Sequence, residues 1–244
     1  MLATYPHLSR APITEAILDL TIPGKPGDSL EWVVAFATAV KDRYPRAQDV
    51  RWFEAMLGFR PGAFEQEHRE NVVGRIWWND AHTRAVQARV TGFSINQLRP
   101  YGSGDEMIAT ARDLWPVFVE HLNPERVVQI GLRYINRIEL PEIVDFDDHF
   151  QTFLRLGPNL PQRLGNFLTR AEIPFGDDRH AVILQTKGPD VDGKATVIMD
   201  ITAVTTRHYA PGDETLWQEV EVLRDVKNAC FFGSLTTLNL DQYK

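Results

Sequence analysis

The N-terminal part of the chain changes from a strand-like to a helix-like pattern. Apolar residues dominate from Ile13 to Ile22, and this run ends at the sequence PGKPG of residues 23–27, a strong turn signal. Asp28 or Ser29 then lies where a helix N-cap is expected, and apolar residues recur at helical spacing from Leu30 to Val40. The pattern therefore predicts a first strand followed by a first helix.

Between residues 50 and 98 the pattern changes to a period of two, which with its turn residues is typical of an antiparallel meander. The runs extend from Val50 to Phe59, from Asn71 to Asn79, from Arg84 to Thr91 and from Phe93 to Leu98. A second helix follows the turn at residues 100–104. Its apolar residues recur from Met107 to Phe118, and the acids Asp105 and Glu106 suit its positive N-terminal end.

The clearest strand of the chain extends from Arg126 to Leu140, because apolar and polar positions alternate along it. One face carries Val128, Ile130, Leu132, Tyr134, Asn136 and Ile138. The other face carries Gln129, Gly131, Arg133, Ile135, Arg137 and Glu139. A half-buried strand with an arginine-bearing polar face is therefore predicted.

The rest of the chain predicts a helix, three strands and a helix, at residues 145–156, 167–173, 181–186, 195–206 and 213–228. Strands seldom alternate singly with helices, which favours an antiparallel α+β fold over a doubly wound parallel sheet. We predict one or more antiparallel β-meander sheets with helices packed on one face. Two similar-looking subdomains, residues 1–141 and 142–244, are expected to form one compact unit. The predicted boundary is at Pro141-Glu142.

Composition and charge narrow the class of protein. The chain has 244 residues, 43% of them hydrophobic, and a net charge of −7, which argues against binding to nucleic acid through bulk charge. Residues 71–104 carry a local excess of positive charge, so nucleic-acid binding stays a less favoured alternative function. The longest apolar stretch, Trp32 to Val40, is too short to cross a bilayer. The opening MLATYPHLSR has no apolar region behind a basic start, so we expect no secretory signal. We expect a cytoplasmic protein that does not bind membranes.

Familiar catalytic and cofactor motifs are absent from the sequence. Phosphate-binding and dinucleotide-binding loops, nucleophile elbows and helical His pairs do not occur. Two acid-rich runs, residues 145–149 and 177–180, resemble a helix start and a hairpin turn more than metal sites. The single cysteine, Cys230, lies in an apolar run and is expected to be a buried, inert thiol. We therefore assign no catalytic residue, metal or cofactor.

Polar residues on predicted strands are the candidate functional residues. Charges on strands seldom remain buried without partners, so an ion-pair network between Glu15 or Asp19 and Arg133 or Arg137 is one interpretation. The alternative is a pocket or partner surface whose arginines face an anion or an acidic partner. That surface is predicted to comprise Arg99, Arg133, Asn136 and Arg137, with Glu15 and Tyr101.

Four stretches resemble a family of sporadically distributed, largely uncharacterised bacterial and archaeal proteins of about this length. They are LSRAPITEAILDL (Leu8 to Leu20), FSINQLRPYGSGDEM (Phe93 to Met107), GLRYINRIELP (Gly131 to Pro141) and VKNACFFGSLT (Val226 to Thr236). Gly104 departs from the family pattern, which usually has tryptophan there. The resemblance implies no activity, cofactor or catalytic residue. The patchy distribution is compatible with roles in mobile elements, toxin and antitoxin pairs or defence.

These observations favour a cytoplasmic, non-catalytic binding or interaction protein whose partner is an unknown protein or a small anionic ligand. A homodimer is also compatible with the sequence. The alternative is an enzyme acting on a small anionic substrate or a nucleic-acid phosphodiester. In that case the same arginines would hold the anion, and Glu15, Asp19 or Asp200 would serve as the acid-base group.

Overall fold

A computed structural model of the protein describes residues 5–24, 30–60, 63–140, 145–161, 165–190 and 192–244, with the backbone alone for residues 52–60 and 63–70. The predicted helix cap at Asp28 or Ser29 and the predicted boundary at Pro141-Glu142 lie outside the described residues.

The described residues form nine strands and five helices. The strands are β1 (Ile13–Thr21), β2 (Arg46–Arg60), β3 (Ala63–Trp78), β4 (Arg84–Arg89), β5 (Gly92–Leu98), β6 (Gln129–Glu139), β7 (Leu168–Pro174), β8 (Arg179–Lys187) and β9 (Thr196–Thr205). The helices are α1 (Trp32–Val40), α2 (Gly104–Leu122), α3 (Phe146–His149), α4 (Thr215–Ser234) and α5 (Thr237–Asp241).

All nine strands belong to one antiparallel sheet in the order β2-β3-β4-β5-β1-β6-β9-β8-β7. Strands β1 and β6 lie side by side at the middle of this sheet, each paired on its other side with the last strand of a meander. A strand, a helix, a meander and a helix thus follow one another twice along the chain. The predicted antiparallel α+β fold is confirmed.

The helices pack on one face of the sheet. Helix α2 contacts β1 and β5, and α4 contacts β6, β8 and β9. Along β6, Leu132, Tyr134 and Ile138 are buried towards the helices, whereas Arg133 between them is exposed. No helix of the described residues covers the opposite face, which we call the open face. Burial in β6 thus follows the alternation of its sequence.

Aromatic side chains fill the core between α1, α2 and the sheet. The fully buried Phe118 of α2 is the centre of this cluster. Its ring centroid lies 5.3–6.3 Å from those of Trp32, Phe36, Phe93 and Trp115. Since aromatic side chains bury large apolar areas, this cluster attaches both helices to the meander.

Strand β3 begins at Ala63, eight residues before the predicted run from Asn71, and α4 ends at Ser234 rather than at the predicted residue 228. Two further differences concern the short helices. The helix expected over residues 145–156 is the single turn α3, because Phe150 leaves the helix to form a β-bridge with Leu235. Helix α5 was not predicted, and Thr236 caps it by accepting a hydrogen bond from the Asn239 amide at 3.2 Å. Both differences depend on the contact of residues 149–152 with the end of α4, which no local pattern records.

Among the described residues, no helix combines the length and the apolar character that a membrane span requires.

Replacing Phe118 by alanine should lower the free energy of unfolding by about 3 to 5 kcal/mol, because it removes the ring at the centre of the aromatic cluster and leaves a cavity. Urea denaturation followed by circular dichroism measures this change. Val34→Ala is the matched control on α1, since Val34 is 69% exposed and its truncation should change stability by less than about 0.5 kcal/mol. Equal effects of the two variants would contradict the role given to Phe118.

Candidate functional site

A cavity of about 900 Å³ opens at the end of the sheet where β1 begins and β5 ends. We call it the basic cavity. Its walls are residues 5–11 with Ile13, the turn at residues 99–105, Tyr134 and Asn136 of β6, and Arg224, Lys227, Asn228, Phe231 and Phe232 of α4. Segments from four separate parts of the chain therefore build one concave site, within the size range typical of ligand pockets.

The wall of this cavity is strongly positive in a protein of net charge −7. Four cationic side chains line it: Arg10, Arg99, Arg224 and Lys227. Among the described lining residues, one carboxylate, that of Asp105, opposes them. Over the lining residues alone the formal charge is +3 when Lys227 is protonated. Glu221, which does not line the cavity, also lies 3.4 Å from Arg224.

Arg99 is held in place by backbone carbonyls. Its Nε donates a hydrogen bond to the carbonyl oxygen of Ile13 at 3.0 Å, and a terminal nitrogen donates to that of Pro12 at 3.3 Å. These acceptors are neutral, so they orient the guanidinium without cancelling its charge. The hydrogen bonds also attach the segment before β1 to the end of β5.

Arg224 joins α4 to the start of α2. A terminal nitrogen of its guanidinium donates to Asp105 Oδ1 at 2.6 Å. Between them, Gly104 brings the helix start close to the sheet: a Cβ there would lie 3.3 Å from the Tyr134 hydroxyl and 3.6 Å from Arg224 Cζ. A small residue at this position therefore keeps the space between the two helices narrow.

Two tyrosine hydroxyls meet in the wall of the cavity. The oxygens of Tyr101 and Tyr134 are 3.0 Å apart. Burial raises the pKa of both phenols, and that of Tyr134 well above its usual value, so both stay protonated at neutral pH. One hydroxyl donates to the other, and the accepting hydroxyl keeps its own proton for a further acceptor.

Lys227 is the unusual cation of this site. Its Nζ lies 4.0 Å from the centroid of the Tyr134 ring and donates to Asn228 Oδ1 at 2.5 Å. Burial, with the positive charge of Arg224 as the second cause, lowers the pKa of Lys227 to about 7. No carboxylate of the described residues forms an ion pair with it.

The structure divides the predicted site residues between two faces of the sheet. Arg99, Tyr101 and Asn136 line the basic cavity. Asn136 is buried there, and its amide nitrogen already donates to the carbonyl oxygens of Tyr134 and Met199 at 3.2 and 3.1 Å. Arg133 and Glu15 lie on the open face, because their strand positions alternate with the buried ones.

Charged residues on the open face have partners on other strands. Arg133 Nε donates to Asp200 Oδ1 at 2.9 Å, and this hydrogen bond raises the pKa of the guanidinium. Glu15 accepts from Asn96 Nδ2 at 2.9 Å, and Asp19 pairs with Arg89. Ion pairs of the predicted kind therefore form, but the partner of Arg133 is Asp200 rather than Glu15 or Asp19.

Arg137 lies in a second cavity, of about 410 Å³, which shares Arg10 and Arg99 with the basic cavity. We call it the second cavity. Its other lining residues are Pro12, Glu139, Lys194, Gln242 and Tyr243. Glu139 lies 3.4 Å from Arg137 and 3.8 Å from Lys194. One carboxylate thus serves two cations at long distances, which leaves this cavity positive as well.

Sequence reasoning did not identify Arg10, Arg224 or Lys227 as site residues. One signal was present: Arg224, Lys227 and Phe231 are three and four positions apart, which places them on one face of a helix. The pattern alone does not show what that face contacts. Its proximity to the start of α2 comes from the tertiary fold.

The acid-rich runs have structural partners. Asp145 caps α3 by accepting a hydrogen bond from the Asp147 amide at 3.1 Å. Asp178, in the turn between β7 and β8, pairs with Arg207 at 2.8 Å. Across the part of the chain that the structure describes, no group of three or more His, Cys, Asp or Glu residues is placed to hold a metal ion.

Cys230 is buried, as its apolar neighbours predict. Burial raises the pKa of its thiol to about 11, so little thiolate forms near neutral pH. The Cys230 side chain on α4 therefore packs in the hydrophobic core as a small apolar residue.

Two comparisons with known proteins were made, one with protein-family models and one with curated proteins. The chain matches no model of a protein family, and no curated protein shows significant similarity to it. The resemblance to the sporadically distributed family stays a prediction.

Replacing Lys227 by methionine should stabilise the protein most near or below neutral pH. The folded-state pKa of about 7 lies below the ordinary 10.5, so the unfolded chain binds more protons between these values and stability rises with pH there. The Lys227→Met variant has no titrating amine at this position, so it lacks this pH dependence. The gain in its free energy of unfolding over the parent protein should therefore be largest at about pH 7 and shrink towards about pH 10.

Urea denaturation near pH 6, 8 and 10 measures this difference in the free energy of unfolding. Lys41→Met, at an exposed position after α1, is the control and should show no such trend. A constant difference between Lys227→Met and the parent protein at all three pH values would contradict the lowered pKa.

Proposed function

We propose that the protein is a non-catalytic binding protein that holds a small anionic ligand in the basic cavity. One observation carries the proposal: four cationic side chains and one carboxylate line a single concave site in an otherwise acidic protein. Such a wall repels cations and attracts carboxylates, sulfates or phosphates. The cytoplasmic location expected from the sequence is part of this proposal.

The groups around the cavity suit a ligand that has an anionic group and an apolar portion. Arg99 and Arg224 present planar guanidinium donors, and Lys227 adds a compact point charge beside them. The apolar wall is supplied by Tyr5 and Phe232, whose rings stack with centroids 4.8 Å apart. An anionic group would lie at the arginines and the lysine, and an apolar portion would contact the aromatic pair.

The position of the carboxylates supports binding over catalysis. Glu15, Asp19 and Asp200 are the acid-base candidates of the enzyme alternative, and all three lie on the open face away from the basic cavity. Each also has a partner there. An acid-base group must reach the reacting atoms, and these side chains face away from the cavity that would hold them.

Small ligands fit this site better than a nucleic-acid duplex does. The cationic residues line a concave cavity rather than extend along a surface, and the net charge of −7 opposes a long polyanion elsewhere on the protein. A small molecule that places one anionic group in the cavity encounters the positive wall alone.

Sulfate should bind in the basic cavity, and Arg224→Gln or Lys227→Gln should weaken its binding by about tenfold, the loss expected for one hydrogen bond to a charged group. Titration followed by ¹H–¹⁵N NMR gives the dissociation constant and the residues affected. Arg170→Gln is the matched control, because Arg170 is exposed on β7 outside both cavities. Chemical shift changes confined to other surfaces, or equal affinities in all three variants, would overturn the proposal.

Sulfate affinity should also rise as the pH falls from about 8.5 to about 6, because Lys227, whose pKa is about 7, gains its positive charge in this range. Sulfate keeps its own charge throughout. Lys227→Gln should lose most of this dependence. His7, which also lines the cavity, is tested separately by His7→Gln. A pH profile of Lys227→Gln that matches the parent protein would contradict the assignment.

A further inference from the structure

The basic cavity does not end at Arg10 and Arg99. Both residues also line the second cavity, so the two spaces adjoin across these side chains. Arg99 is oriented by the carbonyl oxygens of Pro12, which lines the second cavity, and of Ile13, which lines the basic cavity. Two arginines are thereby available to ligand groups on either side.

Charge in the second cavity is also unbalanced. Arg137 and Lys194 share one carboxylate, Glu139, at 3.4 and 3.8 Å. Both distances exceed those of a well-formed charged hydrogen bond. With Arg10 and Arg99 included, four cations face one acid among the described lining residues.

Two polar groups in the wall of the second cavity have a proton without an acceptor. Arg137 Nε is buried and forms no hydrogen bond with the described residues. The Tyr243 hydroxyl is also buried; the backbone of Glu139 donates to its oxygen, and its own proton finds no acceptor among the described residues. Tyr243 as a whole is 8% exposed. Buried donors in proteins are nearly always paired. A ligand with acceptor oxygens in the second cavity would pair both of these donors.

We propose that the ligand of this protein is an extended polyanion of the polyphosphate class, with one anionic group in the basic cavity and a second in the second cavity. This inference rests on the proposed function, because it extends the same ligand across Arg10 and Arg99. A ligand with one anionic group would leave Arg137, Lys194 and Tyr243 unused. A chain of two or more phosphate groups supplies acceptor oxygens on both sides of the shared arginines.

Tripolyphosphate and sulfate are the probes that test this inference, and isothermal titration calorimetry on the full chain measures both affinities. We expect tripolyphosphate to bind at least tenfold more tightly than sulfate. Lys194→Gln and Arg137→Gln should each weaken tripolyphosphate about threefold to tenfold and leave sulfate unchanged. Lys194 is 58% exposed, so its replacement should not affect folding.

The matched control is Lys187→Gln. Lys187 is an exposed lysine 3.8 Å from its own carboxylate partner, Asp190, and lies outside both cavities. The Lys187→Gln variant should bind both anions with the affinity of the parent protein. Tyr243→Phe removes one hydroxyl and should weaken tripolyphosphate alone.

The outcomes separate the two proposals. If sulfate binds but Lys194→Gln and Arg137→Gln bind tripolyphosphate like Lys187→Gln, the extended ligand is wrong and the proposed function stands. If sulfate and tripolyphosphate both fail to bind the parent protein, the proposed function fails and this inference fails with it. A selective loss of tripolyphosphate affinity in Lys194→Gln and Arg137→Gln supports both the proposed function and the extended ligand.

Discussion

The antiparallel pairing of β1 with β6 is the interaction on which the rest of the structure depends. Its register, from Ile13 opposite Asn136 to Thr21 opposite Gln129, joins two meanders into one sheet. Each strand is paired on both sides, so their buried face forms the middle of the core. The same register places the chain before Ile13 beside Tyr134 and Asn136, where the basic cavity opens. One set of backbone hydrogen bonds thus determines both the core and the position of the site.

Most of the fold could be predicted from local patterns, because alternation and helical spacing are local properties of a sequence. The alternation around Arg133 correctly separated the buried face of β6 from the open one. The order of strands could not be derived this way, since it depends on pairings between distant segments. The true length of α3 was missed for the same reason: Phe150 pairs with Leu235, a residue far along the chain.

The candidate site was harder to predict than the fold. Strand residues drew attention because charges are unusual there, and Arg99, Tyr101 and Asn136 do line the cavity. Arg224 and Lys227 lie on a helix, where charged residues are ordinary, so nothing local distinguished them. Net charge was also a poor guide, because it averages over the whole surface. The acids are spread widely or paired, whereas several cations meet at one end of the sheet.

Both cavities are built from residues that are far apart in the order of synthesis. Residues 5–11 form one wall of the basic cavity, α4 forms another, and Tyr243 lines the second cavity. During translation the first wall emerges from the ribosome more than two hundred residues before Tyr243 does, since synthesis proceeds from the N-terminus. A nascent chain therefore carries Arg10 and Arg99 well before the walls that enclose them exist. The wall of the second cavity is complete only when Tyr243 has been synthesised.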